Sequence, residues 1–465
     1  MGKLIKILSE TIEGKKTAIL GFGREGQSTY KLLRRYWPEK EIGIFDSNQN
    51  VIDNPLLKND SRLMVYTGKD YLNNLNAYNQ IFKSPGISAK TLQKIGYKNS
   101  LSTQADVFLA AYASQIIGIT GTKGKSTTSS LLSHVLSSGN RHCIFVGNIG
   151  IPPFELVDHI KSNTFIVYEM SSHQLEFVQH APHIAIFLNI FQEHLDHYEN
   201  YEAYKNAKWR IGQYQNSNDF FIYNYDNEAL RKKVSTTALK STLIPYSLNK
   251  IKSPYSISFH HNKVEAQLPV EPFKIRFKNN VQTVLKGQHN LSNILPVVAT
   301  CKMLGLTEET ILKGIAEFNG LPHRLEYVGC LAGKHFYNDS IATIPEATIE
   351  AVKTIRDIDV IIIGGYDRGI NYNSFVDFLN ASSIPNIIAM GSAGLNIYKK
   401  LSRKKSQKNI VYIDNFEAGV KHAVELTNRG SNCLLSPAAS SYDMFDNFAE
   451  RGDAFKSLVK KYTSL

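Results

Sequence analysis

The residues best suited to chemistry form a glycine- and lysine-rich run, Thr120–Thr127, with the sequence Thr-Gly-Thr-Lys-Gly-Lys-Ser-Thr. A predicted strand, Ile116–Thr120, precedes this run, and a predicted helix begins at Lys125. In this setting backbone N–H groups can cradle phosphate oxygens, Lys125 can reach the β- and γ-phosphates, and Ser126 can bind Mg²⁺. The run departs from the usual pattern because Ile119 stands where the first glycine is expected. We nevertheless predict a phosphate loop here.

A second glycine-rich turn, Gly21–Gly26, follows the predicted strand Lys16–Leu20 and opens a predicted helix. Asp46 ends the next predicted strand, about 20 residues further along the chain. A glycine turn at a helix N-terminus can bind phosphate, and a carboxylate at this spacing can bind a ribose hydroxyl. Alone, the turn leaves open an NAD(P)-dependent oxidoreductase or a turn without a ligand. Together with the phosphate loop, it favours a kinase or an ATP-driven ligase, or else a nucleotide-binding protein without catalysis.

Three further polar positions could contribute to chemistry near the phosphate loop. Glu169 ends the predicted strand Thr164–Glu169, where a carboxylate can hold Mg²⁺. The segment Asn189–His197 is a dense polar cluster that includes His194, and Lys208 lies in a predicted helix. Spacing alone leaves each of these residues open between a site residue and an ordinary turn or surface residue.

The elements that must position these motifs follow a repeated order of apolar strand, glycine turn and helix. This order is typical of α/β folds with mostly parallel sheets. At about 150 residues per domain, 465 residues suggest three domains, which we place at 1–112, 113–320 and 321–465. Within the second domain, residues 240–285 carry short strands and polar turns, and we expect a small antiparallel insertion there.

The composition excludes several classes of protein. Hydrophobic residues make up 43% of the chain and charged residues 20%, which is typical of globular proteins and excludes disorder as the dominant state. No apolar run is long enough to span a membrane, and the N-terminal residues lack the features of a signal peptide. The four widely spaced cysteines indicate neither a disulfide framework nor a zinc site. We therefore expect a cytoplasmic protein without membrane insertion.

The net charge of +12 could indicate nucleic acid, an anionic membrane surface or small anionic substrates as partners. Part of the surplus lies in a basic run between Lys399 and Lys408, which includes Lys405 and has no interleaved aromatic residues. We interpret this run as a solvated surface and expect no nucleic-acid partner.

Taken in order along the chain, the motifs resemble those of the ATP-dependent Mur ligase family. The matching segments are Gly121–Thr127, Glu169–Glu176, Asn189–His197, Ala207–Lys208, Gly287–Asn290, Gly320–Arg324, Asn338–Ser340 and Leu435–Gly452. The last segment is most similar to the glutamate-adding members of the family. The resemblance spans nearly the whole chain, and its motifs are many and ordered as in the family.

The resemblance implies a three-domain enzyme. A Rossmann-like N-terminal domain would bind the UDP of UDP-N-acetylmuramoyl-L-alanine, a central P-loop ATPase-like domain would bind ATP, and a Rossmann-like C-terminal domain would bind glutamate. ATP would phosphorylate the substrate carboxylate, and the amine of D-glutamate would attack the acyl phosphate, in peptidoglycan precursor synthesis. The expected partners are these small molecules, and the protein is expected to act as a monomer.

The resemblance also implies roles for individual residues. The ATP-binding residues would be Gly121, Thr122, Lys123, Gly124, Lys125, Ser126, Thr127, Thr128, Asn290, Arg324 and Asp339. The UDP-muramoyl substrate would be bound by Gly23, Arg24, Glu25, Asp46, Ser47 and Asn148, and glutamate by Arg368, Ser441, Tyr442 and Phe448. Two Mg²⁺ ions are implied, one held by Ser126 and Glu169 and one by His194 and a carbamylated Lys208. The residues given catalytic roles are Lys125, Glu169, His194 and Lys208.

Two positions depart from the family's pattern. Ile341 and Arg368 stand where the family usually has lysines. The loss of one cation beside the acceptor site leaves open a related activity, the addition of L-glutamate instead of D-glutamate. We predict D-glutamate.

Overall fold

The computed structural model describes residues 2–148, 151–194, 197–261, 263–270, 273–276, 285, 287–404 and 407–464, with the backbone alone for 273–276. Leu195 and Asp196 of the polar cluster, Lys405 of the basic run and several residues of the predicted insertion lie outside the described residues. The α-helices of the described part are α1 (Lys3–Ile12), α2 (Arg24–Tyr36), α3 (Ala89–Lys94), α4 (Gln104–Tyr112), α5 (Lys125–Ser138), α6 (Ser172–Leu175), α7 (Tyr201–Gln213), α8 (Glu228–Thr236), α9 (Gln288–Met303), α10 (Glu308–Glu317), α11 (Pro345–Thr354), α12 (Asn373–Ala381), α13 (Gly391–Arg403), α14 (Phe416–Leu426) and α15 (Phe448–Thr463).

The strands form three sheets that follow one another along the chain. They are β1 (Thr17–Leu20), β2 (Ile42–Asp46), β3 (Leu63–Thr67), β4 (Gln80–Lys83), β5 (Ser100–Ser102), β6 (Ile116–Thr120), β7 (Cys143–Gly147), β8 (Phe165–Glu169), β9 (Ile184–Phe187), β10 (Phe220–Asn224), β11 (Thr242–Ser247), β12 (Ser256–His260), β13 (Lys263–Gln267), β14 (Phe273–Arg276), β15 (Glu326–Leu331), β16 (Lys334–Asn338), β17 (Ile358–Gly364), β18 (Asn386–Met390), β19 (Asn409–Tyr412) and β20 (Asn432–Leu435). The predicted α/β class is therefore confirmed.

The first sheet is parallel throughout, with the strand order β3-β2-β1-β4-β5. Every residue of β1 is buried, as expected for a strand of a parallel sheet covered on both faces. The order of the strands reverses between β1 and β4, and a crevice forms at the carboxyl ends of strands at such a point. The turn that begins at Gly21 follows β1, and the segment 84–87 follows β4, so both border this crevice.

The second sheet has the order β14-β13-β12-β11-β10-β9-β6-β8-β7. Strand β6 consists mainly of buried isoleucine and threonine, which suit a central strand, and it lies parallel between β8 and β9. The phosphate loop follows β6 and Glu169 ends β8, so the two motifs reach the same edge of the sheet.

The prediction of an antiparallel insertion at residues 240–285 is wrong in part. Strands β11 and β12 continue the main sheet in parallel from β10, and β13 pairs antiparallel with both β12 and β14. The prediction failed because short strands and polar turns show where strands are but not which neighbour each one pairs with.

The third sheet has the order β15-β16-β20-β17-β18-β19. Its edge is an antiparallel hairpin of β15 and β16, and the other strands are parallel. Alternate residues of the fully buried strand β17 enter two separate apolar clusters: Ile361 and Ile363 lie in one, Val360 and Ile362 in the other. Each face of this sheet therefore has its own core.

The chain separates into two compact units, Met1–Phe318 and Asn319–Leu465. This separation falls close to the predicted boundary at 320. The predicted boundary at 112 lies inside the first unit, between its two sheets, and the division into three domains stays a prediction. Among the helices that the structure describes, none has the length and apolar character needed to cross a membrane.

Candidate active site

The phosphate-loop motif forms the turn between β6 and α5, as predicted. The backbone N–H of Thr122 donates to the carbonyl of Asn189 at 2.9 Å. The N–H of Lys123 donates to the side-chain oxygen of Asn189 at 2.9 Å, and the amide of Asn189 donates to the carbonyl of Lys123 at the same distance. The hydroxyls of Thr122 and Tyr204 are also bonded, at 2.9 Å. These contacts fix the shape of the loop.

Two lysine side chains reach the same carbonyl oxygen of the loop. The Nζ atom of Lys125 donates to the carbonyl of Gly121 at 2.9 Å and to that of Thr122 at 3.1 Å. Lys208, a buried residue of α7, donates to the Gly121 carbonyl at 2.9 Å. Burial and, secondarily, the positive charge of Lys125 lower the pKa of Lys208 well below its usual range. Lys208 is therefore far easier to deprotonate than a surface lysine.

Glu169 lies fully buried at the end of β8, in register with Ile119 of β6. Its Oε1 atom accepts a hydrogen bond from the Ser126 hydroxyl at 3.3 Å and one from the Asn148 amide at 3.0 Å. A carboxylate and a hydroxyl side by side at a phosphate loop are hard oxygen donors of the kind that Mg²⁺ prefers. This donor set fits the first predicted Mg²⁺ site, and Asn148 lies beside it.

His194 and Lys208 share an aromatic neighbour, Tyr204. The ring centre of Tyr204 lies 6.0 Å from that of His194 and 5.2 Å from the Nζ atom of Lys208. His173, which the sequence analysis does not name, lies 4.9 Å from His194 between ring centres. Within the part of the chain that the structure describes, no group of three or more His, Cys, Asp and Glu residues could hold a metal ion. The second Mg²⁺ site depends on a modified Lys208 and stays a prediction.

The start of α9 lies beside the start of α5. Gly124, which caps α5, has a φ of 86°, and a Cβ atom there would lie 2.4 Å from the side-chain oxygen of Asn293. Only glycine fits this position. The amide of Asn293 in turn donates to the side-chain oxygen of Asn290 at 3.5 Å. The structure thus places Asn290 near the phosphate loop, with Thr127 and Thr128 in the first turn of α5.

A cleft of about 390 Å³, which we call the first cleft, lies at the carboxyl ends of β1 and β4. Five of the six residues predicted for the UDP-muramoyl substrate line it, namely Gly23, Arg24, Glu25, Asp46 and Asn148. The segment 84–87 and Gln174 line it as well. The volume lies within the range of small-molecule sites. Asn148, which lines the cleft, also contacts Glu169 beside the phosphate loop.

The two carboxylates of this cleft are already engaged by protein groups. Asp46 accepts a hydrogen bond from the backbone N–H of Phe22 at 2.7 Å, and its other oxygen accepts a second backbone N–H, so it fixes the glycine turn. Ser47, the sixth predicted residue, is exposed. Glu25 accepts a hydrogen bond from the amide of Gln174 at 2.6 Å. Burial raises the pKa of Glu25 above its usual value.

In the second unit, the predicted ATP-binding residues Arg324 and Asp339 are neighbours. Asp339 follows β16, and its carboxylate accepts hydrogen bonds from the Ser436 hydroxyl at 2.7 Å and the N–H of Leu325 at 3.2 Å. Burial raises the pKa of Asp339 to about 6, against the opposing effects of these hydrogen bonds and the charge of Arg324. Arg324 is exposed.

The predicted glutamate-binding residues of the second unit follow the neighbouring strands β17 and β20, at the edge where α/β proteins bind ligands. Arg368 is exposed, and its guanidinium donates to the carbonyl of Thr343 at 3.0 Å. Ser441 is buried, whereas Tyr442 is 65% exposed. Phe448 begins α15.

One buried cation, to which the sequence motifs give no role, organises these loops. The guanidinium of Arg451 donates to the hydroxyl and the carbonyl of Ser340, both at 2.9 Å. It also donates to the carbonyls of Ala439 at 3.1 Å and Ser440 at 3.2 Å. Arg451 thus joins the loop after β16 to the loop after β20. Lys83, beneath the first cleft, is a second buried cation to which the sequence motifs give no role.

A phosphate loop, a carboxylate and hydroxyl pair suited to Mg²⁺, and a second nucleotide-sized cleft define a class of nucleotide-dependent α/β proteins. Comparison with known proteins narrows this class. The Mur ligase middle domain matches residues 119–301. A UDP-N-acetylmuramoylalanine–D-glutamate ligase of Ligilactobacillus salivarius is 30% identical over 98% of this chain and 98% of its own length. A protein of the same name from a Thermoanaerobacter species is 31% identical over 96% of this chain and 98% of its own.

The chain therefore belongs to the Mur ligase family of ATP-dependent amide-bond-forming ligases, in the group of the UDP-N-acetylmuramoylalanine–D-glutamate ligases. This membership confirms the predicted resemblance and favours it over the oxidoreductase interpretation of the Gly21–Gly26 turn.

Solved structures agree with the fold. MurF ligase from Thermotoga maritima, determined in complex with ADP, has a TM-score of 0.51 at 17% identity and covers 99% of this chain and 100% of its own. UDP-N-acetylmuramate–alanine ligase MurC from the same organism also has a TM-score of 0.51, at 18% identity, over 97% of this chain and 99% of its own.

Proposed function

We propose that this chain catalyses the ATP-dependent addition of D-glutamate to UDP-N-acetylmuramoyl-L-alanine, a step in peptidoglycan precursor synthesis. The observation that carries the proposal is the meeting of Lys125, Glu169 and Lys208 around one phosphate loop. The relatives with 30% and 31% identity over nearly the whole chain are named for this reaction.

The chemistry explains why one chain has two nucleotide-sized sites. A carboxylate is a poor electrophile, so its oxygen first takes the γ-phosphoryl group of ATP, and ADP leaves. The amine of glutamate then attacks the carbonyl carbon of the acyl phosphate, loses a proton and expels inorganic phosphate, which leaves an amide. The protein contributes mainly by positioning the reactants and neutralising charge.

The phosphate loop would position ATP and neutralise the charge of its phosphates. In the proposed roles, the loop N–H groups from Gly121 onward and the ammonium of Lys125 bind the phosphate oxygens, while Asn290 lies near the adenine. Ser126 and Glu169 would hold Mg²⁺, which, when bound, neutralises phosphate charge and polarises the transferred group. The hydrogen bond between the Ser126 hydroxyl and Glu169 supports this pairing.

His194 and Lys208 would hold the second Mg²⁺. An ammonium cannot bind a metal ion, but a carbamylated lysine ends in anionic oxygens of the type that Mg²⁺ prefers. The low pKa of Lys208 supports the carbamate, because only the neutral amine can form it.

The cleft of the first sheet would hold the UDP end of the acceptor substrate. Gly23 and Arg24 open helix α2, whose N-terminus favours the diphosphate. Asn148, which lines the cleft and contacts Glu169, would lie along the muramoyl part of the substrate. Asp46 would act on the substrate in two ways, by direct contact and by fixing the glycine turn.

The second unit would supply the remaining contacts. Arg324 and Asp339 would bind ATP, whereas Arg368, Ser441, Tyr442 and Phe448 would bind glutamate. The planar guanidinium of Arg368 can pair with a carboxylate through two parallel hydrogen bonds, which a lysine cannot do. Arg368 therefore keeps the positive charge of the lysine that is usual at its position, whereas the charge absent at Ile341 is not replaced. UDP-linked acceptor, ATP and glutamate are all small cytoplasmic molecules, so we place the enzyme in the cytoplasm. We further propose that it acts as a monomer.

The test is a reaction with UDP-N-acetylmuramoyl-L-alanine, ATP, Mg²⁺ and either enantiomer of glutamate, followed by phosphate release and by isolation of the amide. We expect product with D-glutamate. Lys125→Ala should lower the rate by at least about a hundredfold, because it removes a cation that binds the transferred phosphoryl group.

Lys123→Ala is the matched control, because the ATP-binding role given to Lys123 belongs to its backbone in the loop, which alanine keeps. Lys123 lies two residues earlier in the loop, but its side chain is 71% exposed and pairs with Glu193 at 2.7 Å. We expect its activity to stay within about fivefold of the unaltered enzyme. Product with L-glutamate alone would contradict the acceptor assignment, and no phosphate release with either enantiomer would contradict the ligase activity itself.

A further inference from the structure

Lys83 is a completely buried lysine directly beneath the first cleft. It ends β4, and its side chain has no exposed surface. Its ammonium donates hydrogen bonds to the carbonyl of Ser84 at 3.1 Å and to that of Ile87 at 2.6 Å. Both of these residues line the cleft, as do Pro85 and Gly86 between them. Lys83 therefore braces both ends of one wall of the cleft from below.

That wall is in turn bonded to the glycine turn. The Ser84 hydroxyl donates to the carbonyl of Gly21 at 2.6 Å, and the N–H of Ser84 donates to the carbonyl of Leu20 at 2.8 Å. The segment braced by Lys83 thus holds the turn that carries Gly23 and Arg24. A displacement of this segment would change the position of the N–H groups at the start of α2.

The other side of Lys83 faces the part of the chain that carries the phosphate loop. Its Nζ atom lies 3.9 Å from a carboxylate oxygen of Glu176 and 4.9 Å from the ring centre of Phe177. The same oxygen of Glu176 lies 3.2 Å from Nε2 of His197. Lys83 thereby links the wall of the cleft to the segment after β8, which also carries Gln174.

Burying an ammonium group costs free energy, because the charge loses its hydration. Burial lowers the pKa of Lys83 to about 8, despite the carboxylates of Glu176 and Glu25 nearby. An apolar side chain of similar size often stabilises such a site as well as an ion pair does, or better. The geometry indicates a use for this lysine other than packing.

We propose that Lys83 is a positioning residue for the first cleft, which holds segment 84–87 and the glycine turn in the arrangement that accepts the diphosphate of the acceptor substrate. The proposal rests on the proposed function in one respect, that the cleft takes a UDP group. Lys83 acts through the backbone of Ser84 and Ile87 and has no part in the chemical step.

The test is Lys83→Met in the full-length chain, with UDP as the probe. Titration calorimetry in the presence of saturating ADP, which fills the phosphate loop, should show a dissociation constant for UDP raised by about tenfold or more. The dissociation constant for ADP should stay within about twofold. In the complete reaction, KM for the UDP-linked acceptor should rise, while kcat and KM for ATP stay nearly unchanged. A purely structural lysine would change these quantities together.

Lys90→Met is the matched control. Lys90 also joins two distant parts of the chain, because its Nζ atom donates to the carbonyl of Tyr198 at 2.9 Å, but it does not line the cleft. The affinity of Lys90→Met for UDP should equal that of the unaltered chain. Equal losses in both lysine variants, or an unchanged UDP affinity in Lys83→Met, would overturn the proposal.

Glu176→Gln is a second variant that does not depend on Lys83→Met folding well. It removes the negative charge that faces Lys83 but leaves the lysine and its hydrogen bonds to two backbone carbonyls. The affinity for UDP should therefore fall by about threefold. No change in this variant, with a misfolded Lys83→Met, would overturn the proposal. Failure of the unaltered chain to bind UDP would instead refute the ligand that the proposed function gives the cleft.

Discussion

Burial gives Lys208 a chemistry that a surface lysine lacks. Its amine is buried and shares the Gly121 carbonyl with the ammonium of Lys125. Both the loss of solvent and the neighbouring positive charge favour the uncharged amine. An uncharged amine can add to carbon dioxide: the nitrogen–carbon bond forms, the nitrogen loses a proton, and an anionic carbamate results.

We therefore expect Lys208 to carry a carbamate in protein equilibrated with ¹³C-bicarbonate near neutral pH. Carbon-13 NMR of the full-length chain should show one carbamate resonance, and Lys208→Met should abolish it. The same variant should lose activity by at least about a hundredfold, because it removes the proposed ligand of a second Mg²⁺.

Lys205→Met controls for lysines in general. Lys205 lies one turn earlier on α7, is partly exposed and pairs with Glu202. This variant should keep both the resonance and the activity. A carbamate signal that survives in Lys208→Met would assign the modification to another amine and remove the basis for the second metal site.

At this scale, the sequence predicts residues whose chemistry follows from local pattern. Lys125 and Ser126 could be named because a phosphate loop requires both, whereas the pattern left Glu169 open and only the family resemblance gave it a role. Lys83 and Arg451 could not, because a single cation within an apolar strand or at a helix start is indistinguishable from a surface residue. Their importance comes from carbonyls far along the chain, at Ile87 and at Ser340 for example.

Among the elements, the contact between β1 and α2 depends on a glycine. A Cβ atom on Gly26 would lie 2.1 Å from the carbonyl oxygen of Gly21 and 3.2 Å from the Ser84 hydroxyl. Gly23 differs, because its φ is −72° and nothing lies within 4 Å of the position of its Cβ atom. Gly26 therefore allows helix and strand to pack closely, whereas Gly23 keeps the wall of the cleft open.

Alanine substitution should separate these two roles. Gly26→Ala should lower the apparent melting temperature of the ligand-free chain by at least about 3 °C, because backbone atoms must move apart. It should also weaken UDP binding. Gly23→Ala should keep the melting temperature within about 1 °C and weaken only UDP binding, because the added methyl group occupies the cleft. Thermal unfolding and calorimetry measure both quantities, and equal losses of thermal stability in the two variants would contradict this division.

Element positions were largely predictable, whereas the pairing of the strands was not. The strand Ile116–Thr120 and the helix starting at Lys125 were both predicted where they occur, because an apolar β-branched run and a glycine turn are strong local signals. The parallel pairing of β11 and β12 within the main sheet was missed, since pairing depends on residues distant in sequence. The N-terminal helix α1 was missed too, although its apolar residues recur at helical spacing.

For the whole molecule, the two compact units differ in what they hold. Met1–Phe318 contains the phosphate loop, the Glu169 pair and the UDP-sized cleft. Asn319–Leu465 contains the predicted glutamate residues, and its sheet has an apolar core on each face. A sheet covered on both sides by its own residues needs no other part of the chain to bury its apolar surface.

Expressed separately, each unit should therefore fold and keep only its own share of function. Asn319–Leu465 should unfold cooperatively on heating and show no binding of UDP. Met1–Phe318 should bind both UDP and ADP, and Lys125→Ala within it should weaken ADP binding alone, which controls for nonspecific nucleotide binding. Neither unit alone should form the amide, because the residues predicted to bind glutamate and the phosphate loop lie on different fragments.

Circular dichroism, calorimetry and the phosphate-release assay measure these outcomes. Amide formation by Met1–Phe318 alone would show that Arg368 and Ser441 are not needed to bind glutamate, and a second unit without cooperative unfolding would show that its two cores are insufficient.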